Sequence, residues 1–392
     1  MNIKSLLLGS AAALVAVSGV AHAADAIVTA EPEPAEYVRV CDVYGKGFFY
    51  IPGTETCLKV GGYVRYQYNF DQNATIKTGS VETGGGYAGL SKVRARLNFD
   101  VREETELGTL RGYVRLQAQN ANGDDSATYQ MKFGYLQLGG LTAGLYDSLW
   151  TSDIGGAEDG LLTDTDLAVG DRTANLVSYT YAMDGLTGTL SLENPVFSKA
   201  SRHADSDDSF DVVAKVAYSA GWGGAYVAGV YDSEADVYYA PGLAPSDAKE
   251  GYAVKLGAWV DNLLLADSVF KVEGHYAPEK TDFATLDTSY GSRDGIPLQW
   301  TAGAGYSVKF GKLGVGVAGR YGETFDSVVI PNGKALGVVD LVGNVGYDIT
   351  KNLNLLTEVT YQNIEQPSQG TPASAKITED KLGGFVRLQR NF

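Results

Sequence analysis

Cysteine, methionine and histidine are scarce in this chain: its 392 residues include two Cys, three Met and three His. Beyond the N-terminus, no apolar run reaches the roughly 18–20 residues that a membrane-spanning helix needs. No nucleophile motif and no paired histidine ligands are present, so we expect neither an enzyme nor a bound metal or cofactor. Lys and Arg number 31 against 47 Asp and Glu, which argues against a nucleic-acid partner.

Glycine and tyrosine are abundant instead, with 49 Gly and 25 Tyr. This composition suits closely packed β-strands bordered by aromatic residues, and it suits long helices poorly. Composition alone does not separate a membrane β-barrel from a water-soluble all-β protein, because both can have many Gly and Tyr residues.

The first 57 residues divide into two segments before the first long strand. Residues 1–23 have a basic start, an apolar stretch and the small residues Ala21 and Ala23 at a cleavage site, which predicts a secretory signal peptide. Residues 24–57 are predicted to form an N-terminal periplasmic segment. It holds Cys41 and Cys57, which in an exported protein are most simply a disulfide, worth ~3 kcal/mol by loop closure.

Three early stretches alternate apolar residues with polar ones, and arginine dominates the polar set. They are 58–70, 92–102 and 110–119. Period two is typical of a strand with one apolar face and one wet face. A soluble sandwich would bury the apolar face. A membrane barrel would turn that face to lipid and line a water-filled lumen with the arginines.

The same pattern continues to the C-terminus and predicts sixteen strands. They are 58–70, 90–102, 109–120, 128–138, 142–146, 173–182, 186–193, 210–219, 224–232, 250–260, 267–276, 297–308, 313–321, 336–347, 352–362 and 381–392. In the later strands Leu298 is expected to face outward with Trp300, whereas Arg320 is expected to face inward.

Short and long connections alternate strictly between these strands. One end of the structure therefore has tight turns and the other has loops, as in an outer-membrane barrel with short periplasmic turns. A sandwich gives no reason for this sorting. We therefore predict that residues 58–392 form an all-β fold, a 16-stranded antiparallel transmembrane β-barrel.

Energetics decides where the early arginines point. An arginine facing lipid at the midplane costs roughly 2–4 kcal/mol, so four of them together would exceed the stability of many domains. These four are expected to line the lumen as a basic wall: Arg65, Arg94, Arg96 and Arg115. Arg102 and Arg111 flank a short turn and are expected nearer the periplasmic mouth of the barrel.

The third long connection, 147–172, has the opposite charge. If it folds into the barrel, it places carboxylates across from the basic wall and creates a charged constriction. Its candidate pore-lining acids are Asp153, Glu158, Asp159, Asp164 and Asp166. The alternative is a solvated acidic loop outside the barrel.

Several motifs resemble one family. The runs Phe49–Leu58 and Gly62–Tyr66, together with Phe133–Gly140 and the C-terminal Phe385–Phe392, closely resemble the alphaproteobacterial outer-membrane porins of the rhizobial and Brucella type. The resemblance covers the whole chain. It implies a homotrimeric general-diffusion porin whose third loop folds inward.

The sequence therefore predicts a passive channel for small hydrophilic solutes and ions in the outer membrane of a Gram-negative bacterium. The expected partners are outer-membrane lipid, lipopolysaccharide and the outer-membrane assembly machinery, which would recognise the terminal Phe392. Two alternatives stay open: a substrate-specific channel, and a plugged barrel that acts as an adhesin or scaffold.

Overall fold

A computed structural model describes residues 39–72, 75–78, 81–124, 126–194, 210–235, 249–290, 293–326, 334–365 and 377–392. The proposed signal peptide and residues 24–38 lie outside these ranges. Sixteen long strands, β1 to β16, dominate the described chain. In order they are Cys57–Gln72, Tyr87–Thr105, Gly108–Ala121, Thr128–Leu138, Leu141–Asp147, Thr173–Met183, Leu186–Glu193, Asp211–Ala220, Gly223–Ala235, Lys249–Asp261, Ser268–Tyr276, Arg293–Phe310, Leu313–Thr324, Gly337–Thr350, Leu353–Glu365 and Ile377–Asn391.

The sixteen strands close into a single antiparallel barrel, as the sequence predicts. Each strand pairs with the next along the chain. β16 then pairs with β1, with Asn391 opposite Tyr63. Closure leaves no free edge among these strands, so each of the sixteen strands pairs with a neighbour on both sides.

The connections sort by length onto two ends of the barrel. Seven short ones, such as 139–140 and 311–312, lie at what we call the turn end. The longer ones lie at the loop end and include 148–172 and 277–292. Three short strands that the sequence did not predict extend the loop end: Thr75–Thr78, Val81–Thr83 and Thr285–Tyr290.

Burial alternates along several strands, for example β6 and β8. In β1, Val64, Tyr66 and Tyr68 are about half exposed, whereas Tyr63, next to Val64 on the other face, is 8% exposed. The outward set is apolar, as a surface that contacts hydrocarbon requires. No helix among the described residues is long and apolar enough to cross a membrane.

One outward assignment is wrong. Leu298 is fully buried and packs with Ile296, Leu336 and Ile364 at the loop end. The pairing of β12 with β13 shifts register between Leu298 and Trp300. A bulge adds one residue and reverses the side-chain alternation beyond it, so Leu298 turns away from the face that Trp300 shares.

The described part of the N-terminal segment is closed by a disulfide between Cys41 and Cys57. Both cysteines are buried and pack with Phe48. The Arg102 guanidinium carbon lies 5.1 Å from the centre of the Phe48 ring, a cation–π contact that joins this segment to the turn end of β2. The disulfide fastens the segment to the start of β1.

Candidate pore constriction

The connection 148–172 is bonded to strands on opposite sides of the barrel. Lys215 of β8 donates to the carbonyl oxygen of Ser152 at 2.7 Å. On the other side, Arg387 of β16 pairs with Asp164, and the second of their two hydrogen bonds measures 2.6 Å. β8 and β16 are eight strands apart in a ring of sixteen. The connection also contacts β10, β11, β12 and β15 between them, so it lies inside the barrel and follows the inner face of the wall from β8 to β16.

Three lysines anchor the first half of this connection through its main chain. Lys215, Lys255 and Lys271 project inward from β8, β10 and β11, and all three are buried. Lys255 donates to the carbonyl oxygen of Trp150 at 3.1 Å and Lys271 to that of Glu158 at 2.6 Å. A buried ammonium is costly unless it is fully bonded, so these lysines stabilise only the loop conformation that offers them carbonyl oxygens.

Three inward carboxylates complement the lysines by accepting from main-chain N–H groups of the loop. Glu193 and Glu358 are fully buried. Glu193 accepts from the N–H of Leu149 at 2.8 Å, and Glu273 accepts from the N–H of Gly160 at 3.0 Å. Glu358 accepts from the N–H groups of Asp164 and Thr165 at 2.8 Å each. The barrel wall therefore bonds to main-chain carbonyl groups of the loop through lysines and to main-chain N–H groups through carboxylates.

Two glycines of β12 allow the loop to lie directly on the wall. A Cβ atom on Gly305 would stand 2.1 Å from the carbonyl oxygen of Leu161, and one on Gly303 would stand 2.6 Å from the Leu161 side chain. Any larger residue would push the loop toward the lumen.

The four arginines of the basic wall lie side by side on β1, β2 and β3, and each bonds to a neutral amide. The pairs are Arg65 with Gln389 at 2.7 Å, Arg94 with Gln119 at 2.6 Å, Arg96 with Gln117 at 2.9 Å, and Arg115 with Asn98 at 3.1 Å. Among the described residues, none of the four forms a salt bridge with a carboxylate. The amides orient the guanidinium groups without neutralising them.

Aromatic rings support the same arginines. The guanidinium carbons of Arg65 and Arg96 lie 4.7 and 5.0 Å from the centre of the Tyr63 ring. That of Arg115 lies 4.2 Å from the centre of the Phe133 ring. Cation–π contacts of this kind hold planar side chains in one orientation, so the wall is rigid as well as charged.

Arg102 and Arg111 differ from the basic wall because they share a carboxylate. Asp100 bonds to Arg102 at 2.8 Å and to Arg111 at 2.9 Å. Asp100 is buried and the two arginines are half-buried near the turn end, and the three groups together carry one net positive charge. The uncompensated charge is therefore concentrated further along the wall.

The five candidate acids of the loop occupy different environments. Asp159 is buried and pairs with Lys255 at 2.9 Å, and Asp164 pairs with Arg387. Asp153 is exposed and accepts from the Tyr146 hydroxyl at 2.8 Å. The fourth acid, Glu158, is exposed, and the fifth, Asp166, is partly buried.

The surrounding protein raises the pKa of three loop carboxyls. Burial raises that of Asp166 to about 7, although the N–H of Ala168 at 3.0 Å favours the carboxylate. Burial also raises the pKa of Asp159 to about 6 against the opposing charge of Lys255. Glu158 keeps an exposed surface, but partial desolvation by neighbouring atoms and the nearby charge of Asp153 raise its pKa. The loop charge therefore depends on pH near neutrality.

Sequence reasoning missed most of the groups that hold the loop, among them Lys215, Lys255, Lys271, Glu358 and Arg387. One signal was available, since each stands at an inward position of a strand that otherwise alternates. A charged residue there needs a partner. The partners are mostly main-chain atoms, which no residue pattern reveals.

The closed barrel with an apolar outer face and a polar interior defines the class, an outer-membrane β-barrel channel. The family described as "Porin subfamily" matches residues 25–385, and the chain belongs to this porin family. It is 35% identical to porin Omp2b of Brucella canis over the full length of both chains. The chain is therefore a multi-pass outer-membrane porin of a Gram-negative bacterium.

Solved structures share the fold. The outer membrane channel DcaP of Acinetobacter baumannii aligns with a TM-score of 0.63 at 15% identity, covering 88% of this chain and 99% of that one. The trimer form of OmpT, an outer membrane protein of Vibrio cholerae, aligns with a TM-score of 0.54 at 12% identity, covering 86% and 100%. Family membership indicates a channel rather than an enzyme.

Proposed function

We propose that the chain is a general-diffusion pore for small hydrophilic solutes and ions. Its narrowest part lies between the basic wall of Arg65, Arg94, Arg96 and Arg115 and the exposed loop acids Asp153 and Glu158. The bonding of connection 148–172 to strands half a ring apart supports this assignment, because it holds the charged groups of the connection inside the barrel.

The five loop acids have unequal roles in this proposal. Asp153 and Glu158 face water and set the negative side of the constriction. Asp159 and Asp164 are paired with cations of the wall, so they mainly hold the loop in place. Asp166 contributes a charge that varies with pH. Charged walls of this kind select among solutes by sign and size.

The proposed partners rest on the porin family of the chain and on the apolar outer face of the barrel. We propose a homotrimer in the outer membrane, in contact with lipid and lipopolysaccharide through the apolar outer face. The assembly machinery is proposed to bind the C-terminal strand at Phe392. The main-chain N–H and carbonyl groups of Phe392 each bond to Gly62 at 3.1 Å, so this residue belongs to the last strand pairing.

Single-channel conductance of the purified protein in a planar lipid bilayer tests the proposal. We expect large steps that rise roughly linearly with salt concentration. A folded protein that gives no conductance would contradict a diffusion pore and favour a plugged barrel acting as an adhesin or scaffold.

A loop variant tests the constriction itself. Asp153→Asn combined with Glu158→Gln is expected to shift the reversal potential in a salt gradient toward anions, because it removes two negative charges opposite the arginines. Asp184→Asn is the matched control, since Asp184 is exposed in the short turn between β6 and β7. An equal shift in both variants would remove the two loop acids from the constriction.

A further inference from the structure

Two arginines of the basic wall face each other directly. Arg65 of β1 and Arg94 of β2 are cross-strand partners in the register of the barrel. Side chains at such positions have Cβ atoms roughly 4.5–5.5 Å apart, and like charges there are destabilising. Both side chains are half-buried, and neither forms a salt bridge within the described part of the chain. The fold therefore keeps two positive charges together with no salt bridge to either of them among the described residues.

Their hydrogen bonds leave donors unused. Arg65 donates through Nε to Gln389 at 2.7 Å, so neither Nη atom is used in that bond. Arg94 donates through Nε and Nη2 to Gln119, which leaves Nη1. The amide bonds fix the planes of both guanidinium groups in advance. Preorganised guanidinium pairs of this kind match the oxygens of carboxylates and phosphates.

Space for a small solute adjoins Arg65. A cavity of about 300 Å³ is lined by Arg65, Arg387, Lys309 and Lys312 and by the carboxylates of Asp164 and Asp348, among others, whereas Arg94 is not part of its lining. Within it, Asp164 pairs with Arg387 and Asp348 pairs with Lys309. Asp164 is also near Arg65, but among the described residues Arg65 forms no salt bridge of its own and can bond to a solute that enters from the lumen.

We propose that Arg65 and Arg94 form a binding site for small dianionic oxyanions, with phosphate as the simplest member, on the path through the pore. This inference rests on the proposed function, since it names a solute class for the same wall. A phosphate dianion has enough oxygens and charge to bond to both guanidinium groups at once. A monocarboxylate neutralises one of them and leaves the repulsion between the pair only half relieved.

The test uses the full-length protein in planar bilayers and measures chloride current as inorganic phosphate is added. At about pH 8 phosphate is mainly dianionic, and acetate at equal ionic strength is the comparison anion. We expect phosphate to reduce the chloride current in a saturable way, with acetate much weaker. Arg65→Gln and Arg94→Gln are each expected to raise the half-inhibiting phosphate concentration about tenfold or more.

Two further variants separate geometry from charge. Arg94→Lys keeps the charge without the planar fork and is expected to fall between wild type and Arg94→Gln. Arg102→Gln also removes one positive charge from β2, but from a group that Asp100 already bonds, and Asp100 keeps its salt bridge with Arg111. Arg102→Gln is therefore expected to leave phosphate inhibition unchanged.

The outcomes separate the two proposals. A folded protein that passes no current contradicts the pore itself. Normal chloride currents that phosphate does not reduce, or reduces equally in Arg94→Gln and Arg102→Gln, overturn the oxyanion site and leave the pore intact. Because Arg65→Gln and Arg94→Gln alter different strands, folding failure of one still leaves the site testable with the other.

Discussion

Single residues of the loop differ in how far water reaches them, and Asp166 shows the consequence most clearly. Its carboxyl lies beside Gly160 in a tight bend, and Asp159 and Asp171 contribute nearby negative charge. Burial and these charges raise its pKa from the usual 3.8 to about 7. Between these two values the folded protein binds more protons than the unfolded chain. The contribution of Asp166 to stability therefore falls as the pH rises through this range.

This shift predicts pH-dependent selectivity. Lowering the pH from about 8 to about 6 is expected to protonate Asp166 and move the reversal potential toward anions. In Asp166→Asn, the part of that movement centred near neutrality is expected to vanish. Asp184→Asn is the control and is expected to titrate like wild type. Identical titrations of Asp166→Asn and wild type would contradict the assignment.

Gly305 supports a second prediction at the residue scale. Gly305→Ala is expected to lower the conductance, because the new Cβ would displace the Leu161 main chain from the wall at a cost of roughly 1–3 kcal/mol. Gly314→Ala is the matched control, since a Cβ there meets nothing within 4 Å. Equal single-channel conductance in the two variants would show that the loop does not rest on Gly305.

At the scale of structural elements, a few wall residues hold connection 148–172 in place, and Glu358 of β15 is the clearest example. Its carboxylate accepts from two successive loop N–H groups and also from the Asn344 side chain at 3.1 Å. These bonds hold Asp164 within reach of Arg387. Glu358 is thus a positioning residue for the loop.

Glu358→Gln is expected to make the open channel noisier, with frequent partial closures. The amide NH2 cannot accept, so one loop N–H loses its partner at a cost of about 1–3 kcal/mol. Glu365→Gln, seven residues further along the same strand, provides the comparison. Steady currents in Glu358→Gln would argue against the positioning role.

The disulfide gives a prediction for the N-terminal segment. Replacing Cys41 and Cys57 together by Ser is expected to make residues 39–57 sensitive to protease, since a loop of this length gains ~3 kcal/mol from closure. The barrel is expected to melt nearly as before, because Cys57, at the start of β1, is the only residue of the disulfide loop in the ladders between the sixteen strands. Limited proteolysis followed by mass spectrometry measures the first effect. Loss of the folded barrel would contradict this division.

The sequence predicts the strands well, and the particular residues explain why. β1 to β3 alternate strictly, because one face meets lipid and the other meets water. Leu298 shows where this reasoning fails, since a bulge changes the face without any mark in composition. Lys255 and Glu358 show a second limit: their inward position is predictable, but their main-chain partners lie about 100 and 190 residues away.

At the scale of the whole molecule, the proposed homotrimer has a direct electrical signature. Conductance is expected to appear in groups of three equal steps, because each barrel has its own lumen. Chemical cross-linking of the detergent-extracted protein should give one trimer band. Isolated single steps, with monomer alone after cross-linking, would contradict the homotrimer.

The pairing of β16 with β1 imposes an order on biosynthesis. The two strands that meet at this seam are the first and last of the sixteen, and Phe392 itself bonds to Gly62. The barrel cannot close until β16 has been delivered, and until then the growing sheet has two open edges that can pair with other strands. A chain that lacks β16 is therefore expected to remain open and prone to aggregation.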